Sequence, residues 1–151
     1  GACLVVTQGW LDAKHDPVGA EARARETTRV ERLAVDAVLR AERALGHRPI
    51  EMHHNNPGYD IESDTGKTID FIEVKGRVIG GKTFELTRQE AVTALNKADH
   101  SVLALVRVAD DDTTTVRYLR QPIQQPIDPR AARVEYDWEP FWNDAAEMSQ
   151  E

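Results

Sequence analysis

The stretch "SVLALVRV", Ser101–Val108, is a near-continuous apolar run. A strand with one wet face alternates apolar and polar residues; this one does not, so both of its faces have to be covered. That requirement selects a layered α/β domain with a central sheet between flanking helices.

Two segments qualify as those helices. From Glu21 to Leu45 the chain has no Pro or Gly, and Val30, Leu33, Ala34, Ala37, Val38, Ala41, Ala44 and Leu45 form an apolar stripe at helical spacing. Asp16 can cap this helix, Pro17 suits a first helical position, and Gly46 stops it. Thr28 and Glu31 also stand in capping-box register, which allows two helices with a break near "ETT". The second helix is "TRQEAVTALNKA", with Thr87 and Glu90 again in capping-box register.

The strands read "IEM", "GYDIES" and "TIDFIEVKGR", the last two joined by the hairpin turn "DTGK". "KTFEL" adds a further strand after Gly80 and Gly81, and "TTTVRYL" follows the buried run after an acidic turn. Leaving aside "KTFEL", an optional addition, the order is α-β-β-β-α-β-β. Pro122, Pro126 and Pro129 make the next segment irregular, and Trp138, Phe141, Trp142 and Ala145 pack a short helix back onto the domain. Residues 1–16 read as a linker or extension, 17–121 as the core domain, and 122–151 as a C-terminal extension with a frayed tail.

With 151 residues, 40% hydrophobic and 30% charged, the chain suits one domain and offers no membrane-length apolar stretch. The apolar run in "GACLVVTQGW" is too short for a span and lacks the basic region of a signal peptide. Cys3 is the single cysteine, which excludes an internal disulfide and a cysteine-based zinc site and fits a reducing, cytoplasmic setting. The net charge of −7 argues against a protein that coats nucleic acid through phosphate contacts alone. Most of the acid excess lies in Ser101–Glu151, however, with 10 acidic against 5 basic residues, so the first hundred residues can still present a basic face.

The functional signal is in the third strand. Strand alternation puts Phe71, Glu73 and Lys75 on one face and Ile72 and Val74 on the other. Buried charges need partners, so Glu73 and Lys75 are either a structural ion pair or part of a site whose missing partner is an ion or substrate. A two-strand hairpin can bring Asp60, on the second strand, beside Glu73. Two carboxylates suit magnesium or manganese, a neighbouring lysine can orient or deprotonate water, and the chemistry such a set serves is phosphodiester hydrolysis.

This pattern, Asp-x(12)-Glu-x-Lys on an α-β-β-β-α-β core, resembles the PD-(D/E)XK nuclease superfamily, whose fold is a restriction-endonuclease-like mixed sheet flanked by helices. The wider string "PGYDIES…FIEVKGR…FELTRQEAVTALNKADHSVLALVRV", with the upstream "RVERLAVDAVLRAERALGHRP", resembles more closely the NO VEIN C-terminal-like domain. That domain is found at the end of bacterial and archaeal helicase-like proteins of the Snf2 or DEAD-box kind. The resemblance spans about Thr28 to Leu119. It implies that Asp60 and Glu73 bind Mg2+ or Mn2+, that the Val74 carbonyl completes the coordination, and that Lys75 positions or activates the attacking water. It also implies DNA as substrate and helicase or ATPase domains preceding this one. Glu31 corresponds to a glutamate that supports the metal in many superfamily members, although a capping role with Thr28 explains it equally well. Tyr59, not proline, precedes Asp60, a departure from the superfamily's literal pattern.

Other candidates have plainer readings. His53 and His54 are adjacent, and adjacent strand residues face opposite ways, so they do not share one ion. Tyr59 reads as packing, Thr87 and Glu90 as a helix cap, and Trp138 and Trp142 as packing anchors rather than base-stacking platforms. Arg77, Lys82 and Arg88 are either solvated charges or phosphate contacts. The competing functional expectation is a catalytically inactive DNA-binding or docking module of the same helicase; a purely structural cap is the third.

Overall fold

The structure, a computed structural model, describes residues 17–53, 55–56 and 58–148. The expected linker at 1–16, the Asp16 cap, His54 and the last three residues of the tail lie outside the described residues.

Helix α1, Pro17–Ala44, runs without interruption. The anticipated break and the Thr28–Glu31 capping box are both absent. The hydroxyls of Thr27 and Thr28 donate to the carbonyls of Arg23 and Ala24, 3.0 and 3.1 Å away, one turn earlier. Bonds of that kind keep a threonine within a helix instead of at its start. The helix ends as the sequence suggests. Gly46 takes φ 83°, its N–H reaches the Arg43 carbonyl, and the His47 N–H reaches the Glu42 carbonyl, which together form a Schellman closure.

The strands are β1 (Arg48–Glu51), β2 (Ile61–Asp64), β3 (Ile69–Val78), β4 (Thr83–Thr87), β5 (Ser101–Val108), β6 (Thr114–Arg120) and β7 (Arg133–Asp137). Helix α2, Arg88–Asn96, follows β4, and helix α3, Trp138–Asp144, follows β7. The main sheet has the order β1-β2-β3-β5-β6, with β3 and β5 parallel and every other pair antiparallel. The β2–β3 turn is the expected "DTGK", with Gly66 at φ 82°. Among the described residues no helix is long and apolar enough to cross a membrane.

The central run behaves as its composition demands. Ser101 to Val106 are all buried, and alternate side chains feed two cores. Val102, Ala104, Val106 and Val108 meet the α1 stripe (Val30, Ala34, Ala37, Val38), while Leu103 and Leu105 meet Phe84, Leu86, Ala94, Trp138 and Trp142. The tryptophans are thus packing anchors. Arg107 and Arg117 lie against the Trp142 ring, 4.2 and 4.8 Å from its centroid, and so fasten α3 to the sheet.

Strand β7 was not anticipated. It pairs antiparallel with β4, Thr83 opposite Asp137 and Thr87 opposite Arg133, to form a two-stranded ribbon apart from the main sheet. Its sequence, "RVEYD", carries only two apolar residues, and its partner lies far upstream, so no local pattern marks it.

Helix α1 packs tightly on β3 because position 76 is glycine. A Cβ there would lie 2.7 Å from the Ala34 Cβ and 3.2 Å from the Val30 carbonyl oxygen. Gly76→Val is therefore expected to displace α1 and to cost about 1–3 kcal/mol, read as a lowered urea midpoint with unchanged slope.

Candidate active site

The site forms where β2 leaves β3. The two strands pair only from Asp64 opposite Ile69 to Ile61 opposite Ile72. The last rung is the Asp60 N–H donating to the Ile72 carbonyl at 2.9 Å. One step further the Asp60 carboxylate replaces the missing backbone, since its Oδ2 accepts the Val74 N–H at 2.8 Å. Beyond that point β3 keeps β5 on one side, and its other edge opens onto a groove of about 670 Å³. Helix α1 walls this groove with Thr28, Glu31 and Arg32, and the β4–β7 ribbon walls it with Glu85 and Arg133.

Asp60, Glu73, Lys75 and Glu90 all line the groove. Lys75 Nζ lies 2.6 Å from Glu73 Oε1 and 3.0 Å from Glu90 Oε2. The Glu73, Lys75 and Glu90 side chains are only 13, 17 and 18% exposed. Glu90 does two things at once. Its backbone N–H reaches Thr87 Oγ1 and its Oε2 accepts the Thr87 N–H at 2.9 Å, the expected capping box, while the same oxygen holds Lys75. The sequence marked Glu90 as a cap but contained no sign that the α2 N-terminus abuts β3.

The charges do not balance. Burial pushes the Glu73 carboxyl well above the usual range; Asp60 and Glu90 push it further, and Lys75 pulls it back only in part. Burial likewise raises Asp60, against the opposing Val74 N–H and Lys75, with Glu90 and Glu31 adding to the rise. For Lys75, burial favours the neutral amine, but Glu73 and Glu90 outweigh it and hold the group above its ordinary value. Held between the two carboxylates, Lys75 is equipped to donate hydrogen bonds.

Among the described residues no three His, Cys, Asp or Glu side chains converge as a ready-made metal cluster. The donor set still fits a hard cation that keeps most of its own waters, because Asp60 and Glu73 offer oxygens whose negative charge lacks sufficient compensation. The Val74 carbonyl shares the strand edge with the N–H that Asp60 holds. Glu31 is exposed on the α1 wall and free of the capping role the sequence allowed.

Arg77 lines the groove, with its Nε on the Thr83 carbonyl at 2.6 Å and an Nη on the Gly76 carbonyl at 2.9 Å. Lys82 and Arg88 are exposed and stand outside the groove wall. His53 helps fold the β1–β2 connection, its ring Nδ1 3.3 Å from the Asn55 N–H. Tyr59 packs edge-on against Phe71, ring centroids 4.9 Å apart. Arg32 and Arg133, not singled out in the sequence, line opposite walls of the groove.

A five-strand mixed sheet flanked by helices defines a domain with a restriction-endonuclease-like fold. The chain belongs to the family described as protein NO VEIN, C-terminal, whose model matches residues 30–119, more than half of its length. Among solved structures it resembles Hjc, a Holliday junction resolvase from Archaeoglobus fulgidus, with a TM-score of 0.53 and 18% identity over 82% of this chain and 92% of that one. At that identity the likeness concerns the fold. No curated protein matches the chain by sequence. Strand β7 and helix α3 lie beyond the family match.

A carboxyl whose folded value is raised contributes stability below its unfolded value and loses that stability as pH rises through the folded one. At neutral pH the burial that raises Asp60 and Glu73 therefore weighs against the metal-free fold. Asp60→Asn, which keeps an acceptor for the Val74 N–H, is expected to raise the thermal midpoint at pH 7. The gain should shrink as pH falls toward about 4, where the unfolded carboxyl takes up its proton. A simple structural pair would give a lowered midpoint at pH 7.

Proposed function

We propose that this domain is a magnesium- or manganese-dependent DNA nuclease, the C-terminal part of a helicase-like protein that acts in DNA processing or in defence against foreign DNA. One observation carries the reading: two poorly exposed carboxylates, Glu73 and Glu90, hold one ammonium on an open strand edge, and a third, Asp60, shares the same groove. A structural ion pair needs one carboxylate per lysine. Asp60 and Glu90 also accept the Val74 and Thr87 N–H groups, which offsets part of the repulsion and desolvation that a second and third carboxylate add; a cation would offset the rest.

Asp60, Glu73 and the Val74 carbonyl would hold that cation, with Glu31 on the facing wall as a further oxygen donor. When bound, the ion supplies a Lewis acid for the phosphoryl group and lowers the pKa of water. Lys75, steadied by Glu90, donates hydrogen bonds to the attacking water or to a phosphoryl oxygen, which orients one toward the other. Glu90 is a positioning residue in this scheme. The helicase context rests on the resemblance of the sequence. A chain of net charge −7 also suits a module whose hold on DNA depends on a cation and on neighbouring domains.

Calorimetric titration of Mg2+ and Mn2+ is expected to show binding in the wild type and none in Asp60→Ala with Glu73→Ala. Plasmid nicking should require the metal and fall by about 10²-fold or more in Lys75→Ala. Absence of metal binding even with DNA present would make the charges a structural pair and favour the inactive DNA-binding or docking module.

A further inference from the structure

The two arginines on the lips of the groove carry an inference that rests on the nuclease reading. Arg32, on α1, is held by Asp36 and by both oxygens of Glu51 at 2.6 and 3.1 Å. Arg133, on β7, is held by Glu85 at 3.1 Å. Their side chains remain 48 and 67% exposed, and the partners Glu51 and Glu85 are 41 and 48% exposed. All four side chains line the same groove, whose floor holds Lys75 and Arg77.

Solvated carboxylate partners of this kind bind weakly and exchange readily. A phosphate diester, though tetrahedral, offers the guanidinium a similar pair of anionic oxygens. Arg77 differs, because backbone carbonyls engage it and it braces β3 against β4. Lys75 and both arginines line one open groove, so a nucleic acid strand whose phosphate meets Lys75 lies in the groove that Arg32 and Arg133 flank.

We infer that Arg32 and Arg133 form a phosphate clamp: each releases its surface glutamate and takes a backbone phosphate flanking the one at Lys75. The clamp makes β7, which lies outside the family match, part of the substrate interface. The glutamates act as stand-ins that hold the arginines until phosphate takes their place.

The test is binding of a fluorescent forked oligonucleotide to the full chain in Mn2+ over a range of salt, with Lys75→Ala as the background in every sample to prevent cleavage. Arg32→Ala with Arg133→Ala should flatten the dependence of log K on log salt by about 1.8 if the clamped phosphates are in duplex, or about 1.4 if they are in a single strand. Arg130→Ala, which removes an exposed arginine paired with Asp128 outside the groove, should leave the slope unchanged. Glu51→Gln with Glu85→Gln should tighten binding; if the arginines only tie strands and helix together, it would weaken binding instead. A slope in the double arginine variant equal to that of Arg130→Ala overturns the clamp while the nuclease reading stands. No binding by the background protein overturns both.

Discussion

One bond organises the molecule around its site: the Asp60 carboxylate accepting the Val74 N–H. It occupies the position where the next backbone carbonyl of β2 would have continued the ladder. The backbone donor is satisfied, yet the strand is free to leave. That departure exposes the edge of β3 and creates the groove. An aspartate can do this because its carboxylate mimics the acceptor it replaces and keeps its other oxygen for a further partner. The same residue thus closes the sheet and opens the site.

The groove has depth because β3 is covered from both sides. Glycine at position 76 lets α1 lie directly on the strand, and the β4–β7 ribbon, anchored through Phe84 and Trp138, rises on the other face. Charged side chains on β3 are therefore sheltered without being fully enclosed. Shelter gives the carboxylate cluster its tension. In water, Asp60, Glu73 and Glu90 would ionise with little mutual cost, whereas here burial raises Asp60 and Glu73 together and a single ammonium compensates both incompletely. Lys75, drawn to two of these carboxylates, keeps its proton despite burial.

Much of the site was legible from local patterns. The alternation of "FIEVK" placed Glu73 and Lys75 on one face, and the hairpin turn at Gly66 fixed how Asp60 returns to them. The Thr87–Glu90 cap was legible too, since a capping box is a contact between near neighbours. The capping box read at Thr28 and Glu31 failed because a threonine hydroxyl can also bond back along a helix, and the packing of α1 on the sheet favoured continuity. The order in which residues meet across the groove was not legible at all. Arg32 and Arg133 stand about a hundred residues apart in the chain, and "RVEYD" has no strand signature until β4 lies beside it.

The sequence by itself determined the layered α/β class, the two-sided burial of Ser101–Val108, the first helix and its glycine stop, and the alignment of Glu73 with Lys75. These follow from periodicity and from short-range stereochemistry, which operate within a few residues. Only the tertiary structure decided that Glu90 holds Lys75, that a late strand builds a wall of the groove, and that three carboxylates share that groove with Lys75. Those outcomes depend on which buried surfaces exclude water from which charges, and that is settled when distant elements pack, not while each one forms.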